Sequence, residues 1–326
     1  MRILFWGTPE FGLPSLEAMR GAGHDIAGVV TNPDRPAGRG RRLRTSPAKA
    51  WALEAGVPVL QPERPGEEAF LAAARRLRPD ISVVAAYGRL LPPAALDLPP
   101  LGSLNVHASL LPALRGAAPI NWAIIRGHRE SGVSIQRMVA ALDAGPVLGQ
   151  TRIPIPEAMT AGELYAEAAK AGGARLVAVL DDLASGRAVE RAQDASRATW
   201  APKLDRAAAR IDWSRPAADV ANWLRGCDPW PAAWTSLAAP AAHAGRTLQC
   251  FEPSVDALRP DGADAGGIRA GTEPGAVVRA DSVRGLRVAT GSGTITVGAV
   301  KPAGRHRMSA AEWVRGLPDR KEVRFG

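Results

Sequence analysis

Through the first 187 residues, short apolar runs alternate with stretches whose apolar positions recur at helical spacing. Arg2-Ile-Leu-Phe-Trp6 is almost wholly apolar and stops at Gly7, as a strand buried on both faces does. Asp25-Ile-Ala-Gly-Val-Val30, Ile81-Ser-Val-Val-Ala85 and Ser103-Leu-Asn-Val106 read the same way, and Val133-Ser-Ile-Gln-Arg-Met138 alternates like a strand. Helices are predicted from Pro14 to about Met19, closed by Gly21 and Gly23, then near Trp51, from Glu67 to Leu77 and from Ala161 to Leu183. Repeated β-α units predict an α/β, open, doubly wound sheet. Ligands bind such sheets beyond the carboxyl ends of the strands. Asn105 and His107 end one predicted strand there, and Tyr87-Gly88 follow another.

The pattern changes after about residue 207. Ala233-Trp-Thr-Ser-Leu237, Arg246-Thr-Leu-Gln-Cys-Phe251, Ala276-Val-Val-Arg279, Leu286-Arg-Val-Ala-Thr290 and Thr294-Ile-Thr-Val297 are short strands separated by Gly, Pro and Asp. Their spacing predicts a small β-barrel. Residues 256–272 read as a loop within it. Residues 188–207 are polar and rich in Arg and Ala, as a linker is. The expected organisation is a first domain at 1–187, a linker at 188–207 and a barrel domain at 208–326.

Composition changes this picture in one respect. Hydrophobic residues at 46% and charged residues at 22% are ordinary for globular domains. The net charge of +9 is unevenly spread. Residues 31–50 hold Arg35, Arg39, Arg41, Arg42, Arg44 and Lys49 against Asp34, and residues 203–326 carry a further surplus of about five positive charges. Two basic regions on a near-neutral remainder fit a polyanion bound by both halves of the chain; a solvated basic surface is the other reading. Cys227 and Cys250 form no Cys-x-x-Cys pair, so a reduced, cytoplasmic setting with structural cysteines is expected. The first strand starts at once and no apolar run approaches the roughly 18 residues of a membrane span, so neither a leader nor a membrane segment is expected. The histidines lack metal-ligand spacing and no Walker or Gly-x-Gly-x-x-Gly pattern occurs, so no metal, nicotinamide or nucleoside triphosphate chemistry is expected.

The candidate chemistry sits in Asn105-Val-His107-Ala-Ser109-Leu110-Leu111-Pro112, then Arg115-Gly-Ala-Ala-Pro119, then Leu142-Asp143-Ala-Gly-Pro146. An amine attacking an acyl carbon builds negative charge on the carbonyl oxygen, and preorganised donors must meet that charge. Asn105 can donate through its amide, and His107, two residues on, faces the same side of an extended segment. Asp143 is the carboxylate to hold the imidazole and to receive the amine proton, directly or through water. The Arg-rich stretch from Asp34 to Pro47, pliable at Gly38 and Gly40, reads as a phosphate-contacting loop.

These stretches together resemble the methionyl-tRNA formyltransferase family almost from end to end. The resemblance includes Gly7-Thr-Pro-Glu-Phe11, Asn32-Pro-Asp-Arg-Pro-Ala-Gly-Arg-Gly40, Ala86-Tyr-Gly-Arg-Leu-Leu-Pro92 and the three stretches above. In the second half it includes Ala201-Pro-Lys-Leu204, Arg210-Ile-Asp-Trp213, Asp228-Pro-Trp-Pro231 and Lys301-Pro-Ala-Gly304. It implies a Rossmann-like formyltransferase domain joined to a C-terminal OB-like β-barrel that binds tRNA. It also implies transfer of the formyl group of 10-formyltetrahydrofolate to the α-amino group of methionyl initiator tRNA. Separately, nothing in the sequence hints at an obligate dimer, and a monomer is expected. By the resemblance, Asn105, His107 and Asp143 would be catalytic. Ser109, Leu110, Leu111 and Pro112 would line the folate site, with Tyr87 and Gly88 as its apolar wall. Arg39, Arg41 and Arg42 would meet the acceptor end of the tRNA as a group. Ala108 stands where the family often has Gly, which bears on the folate loop.

Three rival functions share parts of this pattern. A sugar-nucleotide formyltransferase uses the same Asn/His/Asp set but needs no Arg-rich insert. A formyltetrahydrofolate hydrolase replaces the amine with water and has no use for that loop either. A tRNA- or folate-binding relative without catalysis would not need all three of Asn105, His107 and Asp143.

Overall fold

The chain's computed structural model describes residues 1–37, 42–239, 245–255, 272–281, 283, 285–317 and 323–326. In order, the elements of the first 187 residues are β1 (Arg2–Gly7), α1 (Leu13–Gly21), β2 (Asp25–Val30), β3 (Arg35–Ala37), β4 (Arg42–Arg44), α2 (Pro47–Glu54), β5 (Val59–Leu60), α3 (Glu68–Arg76), β6 (Ile81–Ala85), α4 (Pro93–Leu96), β7 (Ser103–His107), α5 (Pro119–Ile125), β8 (Glu130–Arg137), β9 (Val147–Pro154) and α6 (Ala161–Ala184). They are followed by α7 (Ala217–Gly226), β10 (Trp234–Ala239), β11 (Thr247–Val255), β12 (Val277–Asp281), β13 (Gly285–Ala289), β14 (Thr294–Pro302), β15 (Met308–Ser309), α8 (Ala310–Arg315) and β16 (Arg324–Phe325).

Two compact units result, and they are not consecutive in sequence. The first comprises Met1–Pro119, Glu130–Pro154 and Leu164–Pro202; the second comprises Ile120–Arg129, Ile155–Glu163 and Lys203–Gly326.

The first unit is built on a sheet of order β5-β2-β1-β6-β7-β8-β9. Strands β5, β2, β1, β6 and β7 are parallel, as the apolar runs predict. Ile3, Leu4, Phe5 and Trp6 have no exposed surface, which is what a central strand covered on both faces requires. The connection reverses direction across the sheet between β1 and β6, so their carboxyl ends open the crevice of a doubly wound sheet. An antiparallel pair, β8 and β9, extends the β7 edge. Residues 188–202, polar enough to read as a linker, are tied into this unit by backbone pairing. Val147 and Arg191 exchange hydrogen bonds at 2.9 and 3.0 Å, Arg115 N–H donates to the Thr199 carbonyl at 2.8 Å, and Ala201 N–H donates to the Arg115 carbonyl at 2.7 Å.

The second unit is an antiparallel barrel of order β12-β13-β14-β11-β10-β16, with β15 paired to β14. A bridge between Ala276 and Arg324 joins the two ends of that order and nearly closes the ring. The five predicted strands are all present, β11 and β14 running further than their apolar cores. Helix α7 buries Ala217, Val220, Ala221 and Leu224, one face at helical spacing, and Leu224 and Val220 enter the barrel's core with Leu248, Val288, Ile295 and Val297. Ser309 and Glu312 start α8 with reciprocal side-chain caps.

Candidate active site

Asn105 and His107 occupy alternate positions of β7, so both side chains leave the same face of the sheet. Antiparallel pairing sets Gln136 of β8 opposite Asn105, and Ser134 opposite His107. Those four polar residues therefore share one face, and three of them, His107, Ser134 and Gln136, are buried. Burial of so much hydrogen-bonding surface demands partners, and the partners define the site.

His107 lies 3.0 Å through Nε2 from the Leu114 carbonyl, which can only accept, so Nε2 carries a proton. Its Nδ1 faces Asp143 Oδ1 at 3.7 Å, an approach of ring to carboxylate longer than a hydrogen bond. Asp143 arrives from the loop between β8 and β9 with φ at +50°, the left-handed region that Asp tolerates better than most residues. Its Oδ2 accepts the Gly116 N–H at 2.8 Å and its Oδ1 accepts Gln136 Nε2 at 3.0 Å. Gly116 has φ at +113°, and a Cβ there would meet the Ala201 carbonyl at 2.8 Å, so glycine alone brings this N–H to the carboxylate. The structure thus brings His107 and Asp143 together, with Asn105 on the same strand face.

The loop after β7 is braced from below. Ser134 Oγ donates to the Ser109 carbonyl at 2.7 Å and accepts the Leu111 N–H at 3.0 Å. Gln150 of β9 donates to both the Leu111 carbonyl and Ser134 Oγ, at 2.9 and 2.8 Å. Ser109 turns its hydroxyl onto the Ala113 carbonyl at 2.6 Å. Ser109 and Leu111 are buried, whereas Leu110 and Pro112 keep partial exposure. Beyond β6, Tyr87 is buried edge-on against Trp6 at 5.3 Å, and Gly88 follows with φ at +82°. Asn32 Nδ2 holds this turn through the Tyr87 carbonyl at 2.8 Å. The Tyr87 hydroxyl is buried without a hydrogen-bond partner among the described residues, and burial pushes its ionisation up. Leu90, Val139 and Leu142 stand exposed on the loops after β6 and β8.

Of the basic residues singled out by sequence, Arg39 and Arg41 lie outside the described residues, and Arg42 enters through its backbone, which pairs with Ala37 across β3 and β4. The base of that hairpin is anchored. Lys49 Nζ bonds Asp34 at 2.5 Å, and Gln61 Nε2 bonds Asp34 at 3.1 Å, which together hold the Asp34 carboxyl below the usual carboxylate range.

Sequence reading missed Gln136, Gln193, Thr199 and the Gly116 N–H. Gln193 Nε2 donates to the carbonyls of Asp143 and Gly145 at 2.8 and 2.7 Å, and Thr199 Oγ1 accepts the Leu114 N–H at 2.9 Å. The available signal was the alternation of Ser134 and Gln136 with apolar residues on a strand expected to be buried. No group of three or more His, Cys, Asp and Glu able to hold a metal occurs among the described residues. No described helix is long and apolar enough to cross a membrane.

Residues 1–180 match the family model described as formyl transferase, and residues 203–318 match formyl transferase, C-terminal domain. The methionyl-tRNA formyltransferase of Anaeromyxobacter dehalogenans is 46% identical over 331 residues, covering all of both chains. That of Bacillus licheniformis is 40% identical, covering 100% of this chain and 98% of its own. Among solved structures, methionyl-tRNA formyltransferase from Clostridium thermocellum has a TM-score of 0.55 at 14% identity, covering 78% of this chain and 93% of its own. WlaRD, a sugar 3N-formyl transferase, has a TM-score of 0.63 at 13% identity, covering 94% of this chain and 99% of its own. At such identities the structures speak for the fold, while the full-length relatives and the two matched halves speak for kinship. The chain belongs to the methionyl-tRNA formyltransferase family.

Proposed function

We propose that the chain transfers the formyl group of 10-formyltetrahydrofolate to the α-amino group of methionyl initiator tRNA, with Asn105, His107 and Asp143 as its catalytic groups. The observation that carries this reading is the buried approach of His107 to Asp143 on the strand face that also bears Asn105. Exposed Leu90, Val139 and Leu142 give an aromatic folate ring apolar surface to pack on, and the turn at Tyr87-Gly88 lies at the sheet's crevice. Folate supplies the activated formyl group.

The protein's residues then do three things. Asn105 donates its amide N–H to the formyl oxygen as charge grows there. His107 presents its ring to the same oxygen as a second donor, held in place by its Nε2–H bond to the Leu114 carbonyl. Asp143 accepts the proton that the α-amino nitrogen loses as its bond to the formyl carbon forms. The folate nitrogen takes up a proton as its bond to that carbon breaks, so the exchange is proton-neutral. The attacking amine must be uncharged, and an α-amino group titrates near about 7.7–8.0, so neutral solution supplies that form. Ser109 to Pro112 shape the loop beside this centre. Arg39, Arg41 and Arg42 carry the acceptor end of the tRNA by binding its phosphates.

The test is formyl transfer from 10-formyltetrahydrofolate with methionyl initiator tRNA, an amino-sugar nucleotide and water as parallel acceptors. Rapid formylation of the charged tRNA alone is expected. Preference for the sugar nucleotide or water overturns the substrate assignment.

A further inference from the structure

Arg115 is 8% exposed, in a motif whose chemistry the mechanism above does not use. Its guanidinium points at the Gln193 side chain, with Nε and a terminal nitrogen at 3.2 and 2.7 Å from Oε1. A guanidinium has donors only, so Gln193 must turn its oxygen to Arg115 and its NH2 the other way. That NH2 meets the carbonyls of Asp143 and Gly145 and, at 3.4 Å, Gln136 Oε1. Gln136 must then present its own NH2 to Asp143 Oδ1, where it lies at 3.0 Å. One fixed cation thus sets the direction of two amides in series, and the series ends on the carboxylate oxygen that faces His107.

We propose that Gln136 and Gln193 are positioning residues for formyl transfer, and that the Arg115–Gln193–Gln136 relay orients the Asp143 carboxylate toward His107. The proposal rests on the functional reading above. Gly116 N–H and Gln136 grip the two carboxylate oxygens from different sides, which fixes the plane of the carboxylate. A carboxylate oxygen accepts more than one hydrogen bond, so Oδ1 keeps a lone pair for His107 or the incoming amine. Gln193 acts on the same residue from behind, through the Asp143 and Gly145 carbonyls, and so holds the left-handed backbone that aims the side chain. Gly145 has no room to change: a Cβ there would sit 1.8 Å from the Arg137 carbonyl.

Gln136→Met keeps the length of the side chain and removes the donor. It is expected to lower kcat about 10–100-fold, as a misplaced catalytic group does, with KM for both substrates within about twofold. Gln193→Glu keeps the oxygen for Arg115, removes the donor to the loop, and is expected to act in the same direction. A double-mutant cycle separates positioning from simple bracing. In an Asp143→Asn background, Gln136→Met should cost less than about twofold, because the oriented carboxylate is already gone. An effect on kcat under about twofold in the wild-type background, or one that persists undiminished beside Asp143→Asn, overturns the proposal. The His107 ring nitrogens give a readout that does not depend on activity. Their 15N shifts in folded Gln136→Met or Gln193→Glu should move as they do in Asp143→Asn, and unchanged shifts also overturn it. If wild-type protein formylates no tRNA, the functional reading fails while the His107 shifts still judge the relay.

Discussion

At the scale of single residues, Asn105 has the simplest expected behaviour, because its amide does not titrate and its strand position does not depend on the side chain. Asn105→Ala should lower kcat roughly 10²–10³-fold, the cost of one oxyanion donor, with a melting temperature near wild type. A well-folded variant with near-normal kcat removes Asn105 from the mechanism. Asp143→Asn should lose at least as much turnover, since the acceptor for the amine proton disappears while the Gly116 N–H still has an oxygen to bond. Asn105, His107 and Asp143 stood out in the sequence because each has a chemistry of its own, and what the structure adds is the 3.7 Å approach of His107 to Asp143. Gln136 and Gln193 did not stand out, because an amide's role depends on what lies opposite each end of it. Cysteine gives a residue-scale check of a different kind. Cys227 and Cys250 have no exposed surface, and burial pushes both thiols up to about 12. Neither should react with a thiol reagent at pH 8 until the protein unfolds, and reaction of the folded protein would contradict their placement.

Among the elements, the parallel strands were readable because a strand covered on both faces is a run of apolar residues that little else explains. Strand β9 was not, since its half-exposed sequence Val147–Pro154 mixes Gly, Gln, Thr and Arg and draws its definition from pairing with β8. Residues 188–202 read as part of a linker for the same reason: they are attached by backbone hydrogen bonds and by the side chains of Glu190, Gln193 and Thr199, pairings that composition does not record. In the barrel, Asp228 precedes a Pro-Trp-Pro turn and is 6% exposed, and Arg307 bonds both its oxygens at 3.1 and 3.3 Å while stacking on Phe251 at 4.1 Å. Burial pushes the Asp228 carboxyl up, and Arg307 opposes that shift. Arg307→Met should destabilise the protein by ~1–2 kcal/mol, less than a fully buried pair because Arg307 is partly exposed. The sign of its pH dependence follows from the proton count. Without Arg307 the folded state binds the Asp228 proton more tightly than the unfolded chain does, so stability falls as pH rises through that range. The destabilisation should therefore be greatest near pH 7 and shrink toward pH 4. Urea titrations at the two pH values check it, and a destabilisation that grows on acidification contradicts it.

For the molecule as a whole, the informative quantity is where the positive charge lies. Residues 31–50 and residues 203–326 each carry a surplus of about five positive charges, and the rest of the chain is close to neutral. A protein that only needed solubility would gain nothing from that segregation, whereas a polyanion bound by both regions would gain affinity and faster encounter from each. The salt dependence of tRNA binding separates these cases, because every phosphate that the protein neutralises adds about one unit to the slope of log K against log salt. Arg41→Ala with Arg42→Ala should flatten the slope by up to about two units and raise KM for the charged tRNA, leaving kcat at saturation nearly unchanged. In the second unit, Lys301 and Arg305 are exposed beside the end of β14, and Lys301→Ala with Arg305→Ala should flatten the slope again. If tRNA uses both regions, the four substitutions together flatten it by the sum of the two effects. If the second pair leaves the slope untouched, those two cations are solvated surface and the salt dependence rests on other cations, Arg41 and Arg42 among them if their own substitution flattens it.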